Sequence, residues 1–168
     1  MCGVRSAALE STPGTGVGLL WHTRPMPANH VLTPRWNRFA HEANPGVLLR
    51  FPAPDGKGYR DTAYVAEQLG YEARVDELGG QPKFRTGAVY GVDAQTLTEQ
   101  PSRPVGEWND LEVRGWDNRF IVALNGVQVS DLLNQDPTRG QPVDPRFVGS
   151  QAHFGSRMSL RDVAFRRL

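Results

Sequence analysis

An all-β sandwich or jelly roll is the fold class the sequence predicts, and three observations carry it. Short strand-like runs recur along the chain, each closed by turn chemistry. The 168 residues include 18 glycines and 13 prolines without any repeat period, so these residues punctuate many short elements. Hydrophobic content of 39% with four Trp is too apolar for disorder, and helical periodicity is slight. The count comes to roughly nine to eleven strands, paired in two antiparallel sheets with minimal helix.

The elements follow in order. Residues 17–23 form the first clear run, closed by Pro25 and Pro27. Residues 31–39 read as a strand, and Pro34 should confine it to an edge or a bulge. Residues 47–51 are bracketed by Asn44-Pro45-Gly46 and Pro52-Ala53-Pro54-Asp55-Gly56. Residues 62–69 could supply two turns of helix. In residues 70–77 the pattern has period two: Tyr71, Ala73 and Val75 face one way, Glu72, Arg74 and Asp76 the other. A short strand is expected at 87–91, after the loop at Gly79-Gly80. The run 108–115, the turn at 116–119 and the run 120–124 make one hairpin. Asn125-Gly126 then signals a type I′ turn into 127–129, and together they form a meander. One helical turn is expected at 130–135, and residues 158–165 close the fold. The chain is expected to divide into an N-terminal segment, 1–16, partly ordered or truncated, and a single β-sandwich domain over 17–168.

Nineteen Lys and Arg against eighteen Asp and Glu leave a formal charge of +1, with no field to steer nucleic acid. No apolar run approaches the roughly 18 residues of a membrane helix, so no membrane partner is expected. The single cysteine, Cys2, excludes an internal disulfide and a Cys-based zinc site. The start, Met1-Cys2-Gly3-Val4-Arg5, shows no charged leader followed by an apolar stretch. His41-Glu42 and Asp55 with Asp61 are local clusters without a ligand template, so no metal and no cofactor is expected. A structural calcium of the lectin kind has no diagnostic spacing here.

Several segments, in order, resemble the 3-keto-disaccharide hydrolase domain family, a concanavalin A-like jelly roll. They are Gly18-Leu19-Leu20-Trp21, then Asn44-Pro45-Gly46-Val47-Leu48-Leu49-Arg50-Phe51, and Gly70-Tyr71-Glu72-Ala73-Arg74-Val75-Asp76. Thr86-Gly87-Ala88-Val89-Tyr90-Gly91, Pro104-Val105-Gly106-Glu107-Trp108-Asn109 and Leu124-Asn125-Gly126 follow. The close runs from Gly149-Ser150-Gln151-Ala152-His153 to Leu160-Arg161-Asp162-Val163. Arg74 stands where the family usually has Gln, and Pro45 where it has Ser. The resemblance implies a carbohydrate-active domain that hydrolyses 3-keto-glycosides or disaccharides on the concave face, from a family often exported. A non-catalytic carbohydrate-binding module is the alternative.

Glu72, Arg74 and Asp76 recur about 6.6 to 7 Å apart along one strand face, a polar floor for sugar hydroxyls or simply a solvated face. An Arg between two carboxylates should depress their pKa values, which disfavours a retaining two-carboxylate mechanism. A 3-keto-glycoside, as the resemblance implies, offers another route: the ketone acidifies C2–H, and elimination expels the aglycone from C1 before water adds. That chemistry needs a base active near neutrality and donors for the enolate and the leaving group. His153, by intrinsic pKa, and Glu72 are the catalytic candidates, each with a structural reading beside it. Arg50, Arg74, Asp76, Tyr90, Gln151 and Trp116 are the candidates for holding the saccharide. Arg50 is expected to enter the cleft from the face of Leu48. Trp116 is the exposed stacking residue and Trp108 the core one. Asn44 and Gly46 read as turn residues.

Overall fold

A computed structural model describes residues 7–40, 44–56, 58–76, 80–143 and 145–168; Cys2, His41 and Glu42 lie outside these. Among the described residues, ten strands pack as two antiparallel sheets. One has the order β1 (Leu9–Glu10), β10 (Met158–Arg167), β3 (His30–Arg38), β6 (Asn109–Trp116), β7 (Arg119–Leu124), β8 (Val127–Leu133). The other runs β2 (Gly18–Trp21), β9 (Phe147–Ala152), β4 (Gly46–Phe51), β5 (Tyr71–Arg74). Asn125 and Gly126 both adopt positive φ, 49° and 84°, as the type I′ hairpin requires. No helix among the described residues is long and apolar enough to cross a membrane.

The main core lies between the sheets. Leu32, Trp36, Leu111, Val113, Phe120, Val122 and Leu160 come from one side, and Val47, Leu49, Tyr71, Ala73 and Val148 from the other. A second cluster, Leu48, Phe51, Ala66 and Phe147, lies on the outer face of the four-stranded sheet. It is covered by the helix α1 (Gly58–Leu69), which packs on β4, β2 and β5. Burial on both faces explains why β4 reads as a continuous apolar run rather than an alternation.

Four local expectations are corrected. The helix is 12 residues long and begins at Gly58, ahead of the periodic stretch; Ala63 and Ala66 are the small residues that let it approach the sheet. Residues 130–135 are mostly strand, because β8 pairs with β7 and Asp131 bridges Arg119 across the ladder. Pro34 sits in an interior strand, not at an edge. No β3–β6 pairing is made at Thr33 or Pro34, and β10 bulges between Arg161 and Ala164, so Pro34's missing N–H costs no ladder bond. Residues 87–91 form no strand, since Gly87 and Gly91 take φ of 88° and 71°. The segment is nonetheless tied along β5: the Gly87 N–H donates to the Arg74 carbonyl at 2.8 Å and the Tyr90 N–H to the Glu72 carbonyl at 2.9 Å.

Candidate functional site

The alternation read at 71–76 holds in three dimensions. Tyr71, Ala73 and Val75 enter the core. Glu72 and Arg74 line a cleft of about 410 Å³ on the outer face of the four-stranded sheet, beside α1. Gln151 at the end of β9, His153 just beyond it, and Tyr90 complete the expected residues there. Helix α1 adds Glu67, the loop after β8 adds Arg139, and the segment before β4 adds Asn44.

Arg74 is the hub of the floor. Its Nη1 pairs with Glu72 Oε1 and its Nη2 with Asp76 Oδ2, each at 3.2 Å. The Tyr90 ring lies 4.3 Å from its guanidinium carbon. Gln151 donates to Glu67 Oε1, joining β9 to the helix. Arg139 donates to the carbonyls of Gly70 at 2.5 Å and Glu67 at 3.0 Å, satisfying the C-terminal end of α1. Gln151 Oε1, Asn44 Oδ1 and Arg74 Nε are buried without a partner. Buried polar atoms left in this way destabilise the fold unless water or a bound group meets them.

Electrostatics correct one expectation. Burial pushes the Glu72 carboxyl up to about 7, while Arg74 pulls it down and the charge of Glu67 adds to the rise. Desolvation outweighs the ion pair because Glu72 is only 4% exposed, covered where the sequence allowed a solvated face. Gly46 makes the room. It opposes both Arg74 and Gln151 in the sheet, and a Cβ there would run into the Glu72 carboxyl. The need is for space, not for a turn conformation.

Two candidates lie elsewhere. Strict alternation would put Arg50 beside Leu48 on the cleft face. Instead the β4–β9 register shifts between Leu48 and Phe51, and Arg50 takes φ 50°, which turns it into the sandwich. There Nε and Nη2 donate to the Ala28 carbonyl at 3.0 and 2.7 Å, Nη1 donates to the Asp117 carbonyl, and the guanidinium covers Phe120. Trp116 is exposed, as expected, but it stands at the end of β6 in the six-stranded sheet, away from the cleft. Trp108 is half-buried under the Arg161 guanidinium, 3.9 Å from its ring, rather than in the core.

Glu67 and Arg139 were not singled out in the sequence. The helical spacing of Ala63 and Glu67 was a signal for the first. Nothing local marks Arg139, which the fold brings 69 positions back to Gly70. Among the described residues no group of three His, Cys, Asp or Glu side chains could hold a metal ion.

Comparisons with known proteins agree with this architecture. No curated protein matches the chain. A candidate glycosyl hydrolase of Parabacteroides distasonis ATCC 8503 is similar at TM-score 0.73 and 16% identity, over 96% of this chain and 80% of that one. The carbohydrate-binding module CBM66 of Bacillus subtilis matches at TM-score 0.63 and 14% identity, over 96% and 92%. A Bacillus subtilis protein with a galectin-like fold matches at TM-score 0.65 and 12% identity, over 96% and 82%. At these identities the likeness is one of fold, the jelly-roll sandwich. The family evidence is direct: the 3-keto-alpha-glucoside-1,2-lyase-like domain matches residues 4–168, so the chain belongs to that family.

Proposed function

We propose that the cleft binds a 3-keto-glycoside and that Glu72 is the base that opens it by elimination. The observation that carries this reading is a buried carboxyl held at about 7 and paired with Arg74 on the floor of a polar cleft. A base of that strength is matched to neutral pH, where it is partly ionised and still strong enough to take an acidified C–H proton.

In the proposed step Glu72 removes the proton from C2 and the C–H electron pair moves toward the C3 ketone. Arg74 stabilises the resulting enolate oxygen. Collapse of the enolate forms the C1–C2 double bond and breaks C1–O, and His153 gives the leaving oxygen its proton. Water then adds across the double bond, its oxygen to C1 and the proton held by Glu72 back to C2, while His153 takes up the proton that the water loses. Asn44 and Gln151 offer unpartnered acceptors for sugar hydroxyls.

The test is release of aglycone from a 3-keto-glucoside by wild type, Glu72→Gln and His153→Ala. Loss of a general base should lower kcat by about 10² to 10⁴. Undiminished turnover by Glu72→Gln refutes the assignment. The likeness to CBM66 supports a second reading, a non-catalytic carbohydrate-binding module. Sugar binding without turnover by wild type would select it, and absence of both would end the saccharide reading.

A further inference from the structure

We infer that a groove beside the cleft is the leaving-group subsite, shaped for an apolar or aromatic aglycone; the inference rests on the elimination reading above. The groove, about 550 Å³, is lined by Thr15, Val17, Ala63, Tyr64, Glu67 and Phe154. It is continuous with the cleft, because Val17 and Glu67 line both. His153 in the cleft is followed directly by Phe154 in the groove, their rings 4.1 Å apart.

Tyr64 and Phe154 are 61% and 59% exposed, so two large rings converge on one groove with most of their surface open. The platform is held in place. Tyr64 stands on α1 one residue after the buried Ala63. Phe154 stands on a turn tied down at three points. The Gly155 N–H donates to the Gly14 carbonyl at 3.1 Å, the Ser156 N–H to the His153 carbonyl at 3.0 Å, and the Asn44 N–H to Ser156 Oγ at 2.8 Å. A ligand would find the platform already ordered.

Chemistry selects the occupant. The polar groups on the groove are the hydroxyls of Thr15 and Tyr64 and the carboxyl of Glu67, and Glu67 already accepts from Gln151. A second sugar would desolvate several hydroxyls with few partners to replace the water. An aromatic or aliphatic aglycone loses nothing there and gains ring contact. With the keto sugar on the polar side and the aglycone on the apolar side, the C1–O bond lies at the shared edge, beside Glu67 and His153.

The experiment compares 2-phenylethyl and ethyl 3-keto-glucosides, whose leaving alcohols are similar in basicity, with a 3-keto-disaccharide as third substrate. Wild type should show a KM for the phenylethyl compound about tenfold below that for the ethyl one. The ratio should fall to near 1 in Tyr64→Ala and in Phe154→Ala, and persist in Tyr64→Phe. Equal KM values in wild type, or a ratio surviving both alanine variants, overturns the inference. So does a loss confined to the disaccharide, or a wild-type dimer that Tyr64→Ala converts to monomer, which would assign the groove to a second chain. If no keto-glycoside turns over, the elimination reading fails separately. Calorimetry with the unoxidised 2-phenylethyl and ethyl glucosides then decides the groove: the same preference, lost in Tyr64→Ala, sustains it, and no preference overturns it.

Discussion

Replacing Glu72 by Gln should stabilise the protein, and the gain should grow with pH in a calculable way. The substitution keeps the shape of the side chain and removes its charge. In the unfolded chain the carboxyl titrates at its ordinary 4.5, and in the fold at about 7. Between those values the folded state holds the proton more tightly, so wild-type stability falls as pH rises through that window. The whole effect amounts to about 3 kcal/mol. Glu72→Gln should thus exceed wild type by about 1 kcal/mol at pH 5, about 2 at pH 6 and about 3 at pH 7 and above. At pH 8 that corresponds to a rise in Tm of roughly 6 to 12 °C for a chain of this size. Urea denaturation of both proteins at pH 5, 6, 7 and 8 measures the difference, and groups common to both cancel. A difference that does not change with pH, or that favours wild type at pH 8, would refute the argument that burial overrides Arg74. Together with lost turnover, the predicted gain would mean that the protein carries a destabilising ionised group for the sake of its site.

Three further outcomes are expected. The kcat/KM of the proposed elimination should rise with pH through about 7, because Glu72 must be deprotonated to accept the C2 proton; a profile flat from pH 5 to 8 would exclude Glu72 as the base. Gly46→Ala should drive a methyl group against the Glu72 carboxyl, costing about 1–3 kcal/mol in urea denaturation and most of the turnover; unaltered stability would show that the space is not needed. Arg50→Met should leave the Ala28 and Asp117 carbonyls without their donor and cost about 2–4 kcal/mol, while sugar affinity of the folded protein stays as it was. A loss of affinity at unchanged stability would return Arg50 to the site.

Most of the strands were legible because their signals are local. The hairpin at Asn125-Gly126 is a matter of two residues that tolerate positive φ, and the sequence names both. The helix was half-visible, because 62–69 carries its packing residues while Gly58 at its start has a poor intrinsic preference for helix. Pro34 misled for a different reason: a missing N–H excludes a residue from a continuous ladder, but the β10 bulge that removes the need for it lies about 130 positions away. Arg50 misled because a single residue at positive φ reverses every alternation that follows it.

The succession of most strands along the chain, the shared face of Glu72, Arg74 and Asp76, and the family resemblance were properties of the sequence itself, since side chains two apart on a strand share a face whatever surrounds them. The surroundings were not in it. Whether that face meets water or protein depends on α1, the 86–90 segment and the absent side chain of Gly46, which come together only in the folded chain. The same Glu–Arg–Asp pattern in water would hold a carboxyl below its ordinary pKa. Enclosed by those three elements it holds one near 7, because the cost of burying a charge rises faster than a single 3.2 Å ion pair can repay it.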